Sequence, residues 1–158
     1  MNQDELLAAL SEQARGLGIP VSPCVCPHVR VNTRAVTRFG CCVKKGAEYT
    51  IEVSDRLLDH PAALRATLAH ELLHTCRGCG NHGAQWKAYA ARLGAALGCR
   101  IARTDTCQAL GIPDRKPVNH LLRCTACGLE IPRTKASPLV QHPERYRCKC
   151  GGRLELDY

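Results

Sequence analysis

Residues 69–90 read AHELLHTCRGCGNHGAQWKAYA, a stretch that holds three histidines, two cysteines and one glutamate. Leu64, Leu68, Ala69 and Leu72 recur at helical spacing, so the pattern predicts a helix over 61–76. Pro61 stands close to its first turn, and Asp59 is a candidate cap. Gly78 and Gly80 break the helix. A second helix is expected from about His82 to Leu97, stopping at Gly98.

His70-Glu71-Leu72-Leu73-His74 is an HExxH sequence. On a helix, residues i and i+4 share a face, so both imidazoles can reach one ion at about 2.0–2.1 Å. Glu71 follows the first histidine directly and is free of ligand duty. It can take the proton of an activated water and later pass it to a leaving amine. A catalytic zinc site wants a third protein ligand and an open position. His82 is the candidate, since Gly78 and Gly80 allow the chain to reverse tightly between it and His74. Trp86, one helical turn further on, is expected to pack the second helix against the first.

Cys76 and Cys79 leave an alternative open. Thiolate binds zinc well, so either could replace His82, close the site to water, or join the other in a local disulfide. The histidine set is preferred because it leaves a water position beside Glu71.

Working outward, residues 3–17 read as an amphipathic helix with leucines at 6, 7, 10 and 17. IPVSPCVCP, residues 19–27, holds three prolines in nine residues and reads as an extended connector. Residues 28–55 show β-branched alternation around a turn at Gly46, and two or three short antiparallel strands are expected. Ser54 or Asp55 could end that sheet. The order is helix, small sheet, helix, glycine loop, helix.

Only six aromatic residues are available for the core of this 158-residue chain. That favours a helix-rich α+β unit over a large β-sandwich. The start, MNQDELLAAL, lacks the basic and apolar regions of a secretory leader, and no run approaches the roughly 18 apolar residues of a membrane span. A cytoplasmic location without membrane contact is expected. Twelve cysteines in such a setting bind metal more often than they form disulfides.

The net charge of +8 is unevenly placed: residues 29–45 carry five basic residues and no acid, whereas 1–28 and 46–60 are net acidic. Such segregation suits a polyanionic partner, and equally a solvated face.

The tail, residues 117–158, reads as a zinc ribbon, with a metallopeptidase-type unit over 1–116. Cys124 and Cys127 form one knuckle, Cys148 and Cys150 the other, and Gly128 and Gly151 permit the turns. So small a piece needs a metal to offset chain entropy. Arg123, Arg133, Lys135, Arg145, Arg147, Lys149 and Arg153, with Tyr146, could bind phosphates and stack a base. Cys24 and Cys26 could start another thiolate site. Cys41 and Cys42 are expected as small core residues, and Cys99 and Cys107 have no assigned role.

HELLHTCRGCGNHGAQWKAYAARLG resembles the signature of the SprT-like zinc metalloproteases, HELxH followed by a loop and HGxxW, with His82, Gly83 and Trp86 in the second part. The CxxC loop is similar to that of short bacterial members, and a terminal zinc ribbon recurs in the family. The resemblance spans roughly residues 50–158. It implies a minimal zincin-type fold of about three helices against a small mixed sheet. It also implies catalytic zinc on His70, His74 and His82, and Glu71 as the catalytic glutamate. The family includes Spartan, a DNA-dependent protease of DNA-crosslinked proteins, whose long DNA-binding extensions have no counterpart here.

The combined expectation is a metalloendopeptidase with one catalytic zinc and one structural zinc on Cys124, Cys127, Cys148 and Cys150. Its partners would be a protein or peptide substrate and DNA, single-stranded or crosslinked to protein. A compact site should favour flexible substrate segments. For an oxyanion stabiliser the residues offer only Tyr89, His28 and Arg92, without a way to choose. The rival is a non-enzymatic zinc protein that binds nucleic acid, in which Cys76 or Cys79 closes the central site.

Overall fold

The computed structural model describes all residues except Val36, Pro113, Arg115 and Lys116. The chain forms two compact units, residues 1–114 and 115–158. The expected boundary after Lys116 falls among residues outside those described.

The first unit opens with α1 (Gln3–Gly16), started by a reciprocal cap. Asn2 Oδ1 accepts from the Glu5 N–H at 2.9 Å, and Glu5 returns the bond to the Asn2 N–H at 3.0 Å. Two N–H groups that the helix itself cannot satisfy are thereby paired. Leu7, Leu10 and Ala14 form its buried stripe.

Three strands follow: β1 (Arg30–Asn32), β2 (Gly40–Lys45) and β3 (Glu48–Ser54), in the order β1-β3-β2. β2 and β3 form the expected antiparallel hairpin, from Gly40↔Val53 to Lys45↔Glu48, turning at Gly46 with φ of 63°. β1 instead pairs with β3 in parallel, so the sheet is mixed. The proline-rich connector, which leads from α1 into β1, brings the chain to the side of β3 opposite β2. On the way Val25 bridges Tyr49, also in parallel. β2 is left as an edge.

Ser54 ends β3 and caps a 3₁₀ turn over Asp55–Leu57. α2 (Pro61–Leu73) follows, with Pro61 in its first turn. Its cap is His60, which makes no side-chain capping bond, and not Asp59. Leu64, Leu68 and Leu72 are buried as their spacing predicts, and α2 as a whole contacts α1, α3 and the sheet. α3 (Ala84–Leu97) starts two residues later than expected and stops at left-handed Gly98. The four-residue α4 (Cys107–Leu110) closes the unit.

The second unit is a three-stranded antiparallel sheet, β4 (His120–Cys124), β5 (Glu130–Arg133) and β6 (Leu154–Leu156), with β4 central. A single turn, α5 (Pro138–Gln141), lies between β5 and β6. Its buried cluster consists of Cys124, Cys148 and Leu154, backed by Ile131 and Leu139. No described helix in either unit is long and apolar enough to cross a membrane.

Candidate metal centre and cleft

His70 lies in the last turn of α2, and His74 is its C-cap, still in right-handed helical conformation. Although the helix ends earlier than the pattern suggests, the i,i+4 relation survives. His82 comes from the loop just before α3 rather than from its first turn. The three Nε2 atoms form a triangle with edges of 3.0, 3.2 and 3.3 Å. Tetrahedral coordination at about 2.0–2.1 Å requires ligand–ligand edges of about 3.3 Å. The fit is close.

The Nε2 atoms of His70 and His74 do not hydrogen-bond each other. His70 Nδ1 donates to the Ala102 carbonyl at 2.8 Å, and His74 Nδ1 donates to the Cys79 carbonyl at 2.7 Å. Assigned from those bonds, both rings are the tautomer whose Nε2 lone pair faces the centre. Converging lone pairs repel unless a cation lies between them. Burial, with the neighbouring rings, holds the His70 pKa down at about 4, and burial lowers that of His82 as well. Neutral imidazole is the metal-binding form.

Trp86, only 1 % exposed, is the floor of this group. Its ring centroid lies 4.7–5.8 Å from those of all three histidines. The expected packing role is thus met by direct contact with each ring.

Glu71 is 8 % exposed, with Oε1 3.9 Å from His70 Nε2. Burial pushes its pKa up to about 7, and the Arg38 guanidinium pulls in the other direction. Glu71 lines two clefts. One, of about 270 Å³, includes Arg38, Gly40, Thr67, His70 and Arg103. The other, of about 1000 Å³, includes Cys41, Cys42, Lys44, Tyr49, His74 and His82. Both clefts are walled by β2 or the residues just before it.

Cys76 and Cys79 are buried in the turn after α2 and remain free thiols. Among the described residues, the group able to hold a metal here consists of His70, His74 and His82, with neither cysteine in it. Burial raises the pKa of both, that of Cys76 to about 12. These are packed thiols rather than thiolates.

Residues 20–106 match the SprT-like family. The chain belongs to the SprT-like family. No curated protein matches it. In this SprT-like chain the matched residues contain the whole His/Glu centre and both clefts, a metallopeptidase-type domain.

The ribbon lies outside the matched segment. Cys124, Cys127, Cys148 and Cys150 bring their sulfurs together, at 3.5 Å for Cys124–Cys150 and 3.6 Å for Cys127–Cys148. Zinc–thiolate bonds of about 2.3 Å imply edges of about 3.8 Å, so the cage suits zinc. The Cys127 N–H faces Cys124 Sγ at 3.5 Å. That bond and one from the Ala126 N–H draw the Cys124 pKa down to about 6. Gly152 matters more than its position after the knuckle suggests. A Cβ there would lie 2.6 Å from Cys124 Sγ and 2.7 Å from Ala126 Cβ.

Several candidates are placed elsewhere. Tyr89 accepts from Gln85, His28 pairs with Asp4, and Arg92 donates to the Leu17 carbonyl. None of the three lines either cleft. Cys41 and Cys42 are half-buried cleft walls; Cys42 packs against the core as expected, and Cys41 does not. Cys24 and Cys26 join no metal-capable group among the described residues. Arg38, Tyr49 and Arg103 line the clefts without having been singled out, because their approach depends on how β2 and the loop after α3 fold over α2.

Proposed function

We propose that this chain is a zinc-dependent metalloendopeptidase of the cytoplasm. It would carry catalytic zinc on His70, His74 and His82 and structural zinc on the four ribbon cysteines. The observation that carries the reading is the triangle of three Nε2 atoms beside the buried Glu71.

Zinc bound there supplies a Lewis acid that polarises a carbonyl and acidifies water. The rest is work for the protein. Glu71 accepts a proton from the attacking water and returns it to the leaving amine. Its raised pKa suits both directions of transfer near neutral pH. Ala102 and Cys79 fix the histidine rings through their carbonyls. The free edge of β2 offers N–H and C=O groups to an extended peptide, which would run along both clefts and past Glu71. A peptide must be extended to lie there, which favours flexible segments.

DNA is proposed as the second partner, with substrates held on it or crosslinked to it. In the ribbon, Arg147 and Arg153 face each other as an antiparallel pair next to Tyr146, which is 43 % exposed. Facing like charges are relieved by an anion. Arg123 is less available, being paired with Glu130 and Asp157.

The test is cleavage of a DNA-binding protein by the zinc-loaded chain, with and without single-stranded DNA, beside Glu71→Gln. Cleavage that needs both Glu71 and DNA supports the full reading. Glu71-dependent cleavage indifferent to DNA keeps the peptidase and removes the nucleic acid. DNA retention with no cleavage would favour a zinc-stabilised binding protein.

A further inference from the structure

β2 meets α2 at Gly40. A Cβ built on this residue would lie 2.7 Å from Thr67 Cγ2, 3.2 Å from Glu71 Cγ and 3.2 Å from the Glu52 carbonyl oxygen. Gly40 is paired in the sheet with Val53 and its φ is not positive. Its backbone would suit any residue; what it provides is room. Thr67 and Glu71 are i and i+4 on α2, so the same helix face presents both to the strand.

We propose that Gly40 is a positioning residue for Glu71. The absent side chain forms the slot into which the Glu71 stem fits, and this sets where the carboxylate stands relative to the histidines. The proposal rests on the peptidase reading for its functional consequence, though not for its geometry.

A methyl group added at Gly40 must displace something. The Glu52 carbonyl is held in the β2–β3 ladder. Thr67 is β-branched, so its Cγ2 has only discrete χ1 positions open to it in the helix. Held off by Thr67 Cγ2 at 2.7 Å, the methyl and the strand that carries it shift, and the unbranched Glu71 stem, 3.2 Å away, is the part that yields. With Cγ2 removed the methyl can seat, and Glu71 need give by only a few tenths of an ångström. Displacing a reacting group by about 1 Å can cost on the order of 100-fold in rate.

The experiment moves one methyl group. Gly40→Ala adds it, and Thr67→Ser removes the Cγ2 that it strikes, so Gly40→Ala/Thr67→Ser nearly conserves volume. Gly40→Ala is expected to lower kcat by roughly 10- to 100-fold, with KM and bound zinc unchanged. The double variant should recover most of kcat. A crystal structure of each variant supplies a readout independent of activity: the distance from Glu71 Oε1 to His70 Nε2, 3.9 Å in the parent, should lengthen in Gly40→Ala and return in the double variant. Full kcat in Gly40→Ala, an unmoved Glu71, or a double variant no better than the single one would overturn the proposal. If Gly40→Ala fails to fold, the double variant decides: parental carboxylate position and near-parental kcat support the slot, and a displaced Glu71 overturns it. Should wild type and Glu71→Gln cleave equally, the peptidase reading falls, while the crystallographic distances still decide whether Gly40 positions Glu71.

Discussion

The carbonyl of Cys79 accepts the Nδ1 proton of His74 at 2.7 Å, so the CxxC turn orients one histidine of the triangle while neither of its sulfurs joins the metal-capable group. The backbone carries this contact, and the two thiols keep the turn packed. Replacing Cys76 or Cys79 with serine should therefore leave zinc stoichiometry intact. It should cost about 1–3 kcal/mol of stability, the penalty for a buried hydroxyl without a full set of partners. Metal analysis and thermal melting of each variant check this. Loss of one zinc per chain would instead make the thiol a ligand.

Low pH should strip metal from the histidine centre late. The His70 pKa is held near 4 and that of His82 is also lowered, so protons compete for His70 well below the ordinary value of 6.5 and for His82 below it. Cobalt substituted for zinc reports on the two centres separately, because nitrogen and thiolate sites absorb differently. The midpoint of release from the histidine site is expected below 6.5, and a midpoint at or above it would mean solvated rings.

Activity should rise through an acid limb as Glu71 ionises. Burial raises its pKa from 4.5 to about 7, and Arg38 opposes that rise. Removing the guanidinium in Arg38→Ala takes away a nearby cation, so the carboxylate becomes harder to ionise and the limb moves to higher pH. A pH profile of kcat/KM for both proteins gives the sign. An unmoved or lowered limb contradicts the assignment of Glu71 as base.

Cys148→Ser should unfold residues 115–158 while sparing the histidine centre. The buried apolar side chains described in this unit are Leu122, Val140 and Leu154 beside Cys124 and Cys148, too little apolar area to fold without metal. Bound zinc should fall from two per chain to one. Amide exchange of residues 117–158 should become fast, with the exchange of α2 unchanged.

Much of this chain was legible in its sequence because the decisive signals are local. HExxH on an apolar-periodic helix places His70, Glu71 and His74 by helix geometry alone, and leucine spacing predicts the face that α2 buries. The CxxC and CxC knuckles, each followed by glycine, announce a thiolate cage in the same way. Local spacing could not say that β1 would join β3 in parallel, that Cys41 and Cys42 would wall a cleft, or that Asp59 would leave the cap to His60. Nor could it choose between His82 and Cys76 or Cys79. Those outcomes depend on which groups meet across the packed interface between β2 and α2, and on the turn that aims the Cys79 carbonyl at His74. The sequence alone determined the ligand types and the helix that carries two of them. Only tertiary packing decided the third corner of the histidine triangle, the burial that raises the Glu71 pKa, and the close approach of α2 to Gly40, because each depends on how separate elements meet.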